Sequence, residues 1–104
     1  MHRPIIVQQI QSALHELIPD GKVILFGSEA RGDARPDSDI DLLILIEGET
    51  VPVEQEKEII GVLSDLTVQT GIIISSIILP RHKWENRDIK SPFYFTVMNE
   101  GIEL

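Results

Sequence analysis

The apolar residues of this chain change rhythm several times, and each rhythm predicts an element. From Pro4 onward Ile6, Ile10, Ala13, Leu14 and Leu17 fall at helical spacing, with Pro4 suited to a first helical turn. Pro19 and Gly21 in "PDGK" break that helix. The pattern then becomes continuous. "VILF" (23–26) reads as a short buried strand. "DIDLLILI" (39–46) reads as a second, apolar on both faces after its first residues, as in the centre of a covered sheet. Helical spacing returns in "VPVEQEKEIIGVLSDLTVQT", which sets Val53, Ile59, Ile60, Leu63 and Leu66 on one face, with Gly71 as the stop. "IIISSIIL" (72–79) reads as a third buried strand and "RHKWEN" as a short helix or turn. "SPFYFTVMNEG" offers Ser91 as N-cap, Pro92 at the first helical position and Gly101 just past the end.

The order α-β-(polar insert)-β-α-β-α predicts a layered α/β domain. Strands two and three, joined through a helix, are expected to be parallel. The polar insert leaves the relative direction of strands one and two open. No repeat or linker interrupts the pattern, and 104 residues suit a single domain spanning 1–104. The apolar runs are too short to span a bilayer and the N-terminus has no long apolar leader. A soluble, cytoplasmic chain without a membrane partner is therefore expected. The absence of cysteine excludes disulfides and thiolate metal sites. The net charge of −8 argues against direct nucleic-acid binding, because phosphate-gripping surfaces are basic. Acidity also suits a divalent-metal site or a basic protein partner.

The candidate chemistry lies in "FGSEARGDARPDSDID" (26–41). Residues i and i+2 of a strand share a face, so Asp39 and Asp41 project side by side with Ile40 on the other face. Two carboxylates that close repel each other unless a cation lies between them. Mg²⁺ suits the position, since it takes one or two carboxylates, waters and substrate phosphates. A solvated strand end would produce the same D-x-D. Gly27 and Ser28, directly after a strand, suit a phosphate: glycine permits close backbone approach, serine adds a hydroxyl, and a helix start favours an anion. Arg31 carries a charge that can reach phosphate oxygens, and Gly32 releases the turn. The motif is neither a P-loop nor a dinucleotide fingerprint. If the two strands are neighbours, both halves converge at one sheet end as equipment for displacement at phosphorus.

Gly27-Ser28, ten residues, then Asp39-Ile40-Asp41, with Ala30-Arg31-Gly32, Ser38 and Leu42 in place, resembles the signature of the nucleotidyltransferase superfamily, the DNA polymerase β-like fold. The resemblance is closest to the minimal nucleotidyltransferases of prokaryotes, and it extends to the ending "SPFYFTVMNEGIEL". It implies a mixed sheet of three or slightly more strands with helices packed on it. It also implies transfer of a nucleoside monophosphate, AMP from ATP, to a hydroxyl with two-metal Mg²⁺ chemistry. By the same resemblance Asp39 and Asp41 hold metal and serve catalysis, Gly27 and Ser28 bind triphosphate, and Ser38 joins the nucleotide-binding set; a supporting phosphate role for Arg31 follows from its charge and position. Minimal members commonly pair with a small helical HEPN protein, which implies an antitoxin that adenylylates its toxin or neutralises it by contact. Self-association is compatible with the small size.

One departure matters. Active members carry a third carboxylate on the strand after the helix, where this chain has Ser75 or Ser76. A hydroxyl is a poor base and a weak ligand. Glu47 and Glu49 are candidate substitutes but lie at the far end of strand two. The alternative is thus a weakened member that binds and regulates its partner without transfer. His2, His15 and His82 lack ligand spacing. Trp84 with Phe93, Tyr94 and Phe95 is expected to close the core around the last helix.

Overall fold

A computed structural model describes residues 3–86 and 90–104, so His2 lies outside the described residues. The elements follow in the order α1 (Pro4–Leu17), β1 (Lys22–Phe26), α2 (Gly27–Arg31), β2 (Ile40–Ile46), α3 (Val53–Thr70), β3 (Ile74–Pro80), α4 (Arg81–Glu85), α5 (Pro92–Glu100) and β4 (Ile102–Glu103). The four strands form one mixed sheet in the order β3-β2-β1-β4. β2 runs parallel to β3, as a helical crossover requires, and antiparallel to β1. The direction left open by the insert is thereby fixed: Phe26 at the end of β1 pairs with Asp41 at the start of β2.

Strand alternation divides the core in two. Val23, Leu25, Ile40, Leu42, Ile44 and Ile46 face α1 and α3, where they meet Val7, Ile10, Leu14, Ile59, Leu63 and Leu66. Ile24, Leu43 and Leu45 face the other way, onto Trp84 of α4 and Val97 of α5. β2 is covered on both faces, as its unbroken apolar run predicts. Trp84 is buried and stacks edge-on to Phe93 and tilted against Tyr94. Phe95 departs from the expected core role and is half exposed.

Two other expectations are corrected. β3 is a sheet edge, not a buried strand: α4 and α5 cover β1, β2 and Leu79, which leaves Ser75 and Ile77 open to solvent. Val53 and Ile60 are exposed on α3, because only the narrower stripe of Ile59, Leu63 and Leu66 touches the sheet. The insert opens with a short helix, α2, over its first five residues. β4 adds a strand too short to leave a periodic signal, and it pairs with β1 through Leu25 and Ile102.

Element ends follow the predicted chemistry. Gly71 closes α3 in the left-handed conformation at φ +75°. Ser91 Oγ accepts a hydrogen bond from Tyr94 N at 3.2 Å as the N-cap of α5. The N-terminus is fixed by a long-range contact. Arg3, just before α1, donates from its backbone N to Glu29 Oε2 at 2.8 Å and from Nε to Glu29 Oε1 at 2.6 Å. Its Nη1 reaches the carbonyl of Ser38 at 2.8 Å. Glu29 is wholly buried, so the guanidinium neutralises a charge that water cannot reach. Arg3→Ala is expected to cost about 3–5 kcal/mol in urea denaturation, the usual cost of breaking a buried pair. Adding Glu29→Gln should recover part of that loss, because an amide needs no counter-charge.

Candidate functional site

The antiparallel turn from β1 to β2 brings both halves of the motif to one end of the sheet. Gly27 opens α2 directly from β1, with φ +77°, a conformation that side chains rarely adopt. A Cβ at this position would collide with the Asp41 carboxylate. Glycine is therefore required twice, for its backbone angle and for the space it cedes to Asp41. Ser28 is half buried in the same turn, and its carbonyl accepts from Gly32 N at 3.0 Å and Asp33 N at 3.1 Å. Gly32, at φ 83°, ends α2 in the left-handed region.

Asp39 is exposed and Asp41 is half buried on the face that carries Leu43 and Leu45. The parallel register sets Ser75 beside Asp41, whereas Ser76 pairs with Leu42. Of the two serines, Ser75 is thus the one beside Asp41 on the same face of the sheet. Its Oγ donates weakly to Asp39 Oδ2 at 3.4 Å. Glu47 and Glu49 lie at the opposite end of β2, engaged with Arg81 at 3.3 Å and His82 at 3.3 Å. His15 Nε2 lies 3.0 Å from the Leu104 carbonyl.

Arg31 and Ser38 have partners within the fold. Arg31 donates from Nη1 to Glu100 Oε2 at 2.9 Å and from Nε to Asp33 Oδ2 at 3.3 Å. Ser38 Oγ accepts from Arg35 N at 2.9 Å, which closes the turn ahead of Asp39. Glu100, from the last turn of α5, also lies 3.4 Å from the Gly27 amide through Oε1. Sequence reasoning missed Glu100, Glu29 and Arg3. Their partners lie 69, 26 and 35 positions away in the chain, so no local pattern marks them.

The electrostatics single out Asp41. Burial, then the neighbouring Asp39 charge, push its carboxyl above the ordinary range, Arg31 opposes them, and Glu100 adds to the rise. Two carboxylates with adjacent phosphate oxygens match what Mg²⁺ takes. Among the described residues no group of three His, Cys, Asp or Glu side chains is gathered to hold a metal. Asp39 and Asp41 are thus two carboxylates of the kind that could contribute to holding Mg²⁺.

Comparisons with known proteins point one way. The nucleotidyltransferase domain family matches residues 7–102. A candidate protein adenylyltransferase of Methanocaldococcus jannaschii is 34% identical over 101 residues, covering 95% of each chain. The solved structure of a candidate minimal nucleotidyltransferase is similar at TM-score 0.65 and 25% identity, over 100% of this chain and 97% of its own. Two complexes share the fold at lower identity. One is a toxin–antitoxin solved with AMP-PNP, at TM-score 0.63 and 21% identity over 92% of this chain and 69% of that one. The other is a tri-AMPylated Shewanella oneidensis HEPN toxin with its MNT antitoxin, at TM-score 0.59 and 18% identity over 97% and 70%.

Two substitutions test the geometry. Gly27→Ala is expected to lower stability by about 1–3 kcal/mol from backbone strain alone, read by thermal denaturation. Asp41→Asn is expected to raise the melting temperature at pH 7. The raised carboxyl binds its proton more tightly in the folded chain, so stability falls as pH climbs from the ordinary aspartate value to the raised one. The gain of Asp41→Asn should vanish below about pH 4, where the carboxyl is protonated folded or unfolded.

Proposed function

Because the chain belongs to the nucleotidyltransferase domain family, we propose that it transfers AMP from Mg·ATP to a hydroxyl of a partner protein, a small helical HEPN-domain toxin that it neutralises. One observation carries the reading: the Gly27 turn and the Asp39–Asp41 pair meet so closely that a single methyl at Gly27 would strike Asp41. The acceptor class is supported by the name of the M. jannaschii relative, and the partner class by the HEPN complex. The nucleotide is supported by the family and by the AMP-PNP complex.

In this mechanism Asp39 and Asp41 hold the magnesium. When bound, the metal neutralises phosphate charge and stabilises the charge that develops during displacement. Gly27 lets the triphosphate approach the backbone, Ser28 donates its hydroxyl, and Arg31 supplies positive charge beside them. Ser38 shapes the turn that presents Asp39. The acceptor enters from the open flank of the site along β3, past Ser75 and Ile77. Its oxygen bonds to the α-phosphorus as the bond to the β-phosphate oxygen breaks, and pyrophosphate leaves with that electron pair. With Ser75 in place of an acid, the hydroxyl proton passes to Asp39, whose Oδ2 faces that flank. Ser75 also favours a second reading, in which the chain keeps its partner silent by contact without transfer.

Intact-mass spectrometry of the captured partner, incubated with this chain and Mg·ATP, separates the two. A mass gain in AMP units that disappears with Asp39→Asn or Asp41→Asn is the expected outcome. A stable complex of unchanged mass would sink the transfer reading and leave the contact reading.

A further inference from the structure

The carboxylate of Glu100 turns inward rather than toward water, with its side chain 15% exposed. One oxygen takes the Arg31 guanidinium at 2.9 Å and the other faces the Gly27 amide at 3.4 Å. These are the two groups assigned above to phosphate oxygens. The backbone behind Glu100 cannot shift easily. A Cβ on the next residue, Gly101, would strike the Val97 carbonyl and approach Ile24 Cγ2 to 2.7 Å. β4 then pairs at once with β1. The side chain, by contrast, needs only rotamer changes to leave.

Charge points the same way. Arg31 is shared between Glu100 and Asp33, and Asp41 feels the charges of Asp39 and Glu100 as well as that of Arg31. Bound triphosphate would face an extra carboxylate and a guanidinium already engaged. The contact is charge-assisted, with the Glu100 carboxylate well covered though Arg31 is exposed, so a phosphate must replace a carboxylate the guanidinium already binds.

We infer that Glu100 is an internal anion occupying the phosphate-binding position formed by Gly27 and Arg31, and that the nucleotide binds by displacing it. The inference rests on the nucleotide reading above and sets its affinity: the chain holds a brake on its own substrate. A residue that merely positions Arg31 for phosphate would have the opposite sign, since its removal would weaken binding.

The test is calorimetric titration with Mg²⁺ and α,β-methylene-ATP, whose α–β bridge resists cleavage. Wild type, Glu100→Gln, Arg31→Ala and the double variant are compared. Glu100→Gln should lower Kd by about three- to tenfold, within the range of one charge-assisted contact. Arg31→Ala should raise Kd, and the gain from Glu100→Gln should largely vanish in that background, because it acts through the freed guanidinium. Weaker binding by Glu100→Gln, or the same gain without Arg31, overturns the inference while leaving nucleotide binding intact. Failure of wild type and Glu100→Gln alike to bind overturns the nucleotide reading, and the brake with it. Emission from Trp84, packed on Tyr94 of α5, reports whether each variant is folded. If Glu100→Gln does not fold, Glu100→Asp, one methylene too short for Arg31, carries the same expected direction.

Discussion

The geometry of the carboxylate end depends on the ion pair between Arg3 and the buried Glu29. Three segments with no reason to meet are joined there: the start of α1, the short helix α2 and the turn before Asp39. A five-residue helix has almost no stability of its own. α2 persists because its one buried residue is charged and its counter-charge arrives from elsewhere. The same guanidinium holds the Ser38 carbonyl, so the chain entering β2 is held at the step before Asp39. A buried ion pair adds little net stability over an apolar replacement. Its contribution here is to fix α2 relative to the turn before Asp39.

On that frame the sheet sets the site. The antiparallel return from β1 to β2 puts the end of one strand against the start of the next, and the parallel neighbour β3 brings Ser75 alongside. The half-buried Asp41 costs the folded chain something at neutral pH, because burial and the Asp39 charge both oppose its ionised form.

Much of this was legible in the sequence because the signals are local. The apolar stripe of α1, the unbroken run of β2, the N-cap of α5 and the glycine stop of α3 each act over a few residues. So does the motif from Gly27 to Asp41, whose resemblance to the minimal nucleotidyltransferases the family match bears out. What stayed hidden depends on distant neighbours. "IIISSIIL" reads as buried because isoleucine implies cover, yet nothing in its own letters says that the sheet stops there. Arg3 looks like an ordinary surface arginine until Glu29 folds beneath it. Glu100 looks like a helix-end acid until α5 brings it to Arg31.

The open border of the sheet has a colloidal consequence. From Ile74 to Leu79 the edge strand carries no charge, and proline comes only at its end. Edges of that kind invite pairing with another strand, and proteins usually protect them with lysine, proline or a bulge. In this chain, repulsion from a net charge of −8 does that work from a distance. Acidification towards the carboxylate range removes the repulsion while leaving the strand intact. Self-assembly would then begin along this edge, beside Ser75 and its neighbour Asp41.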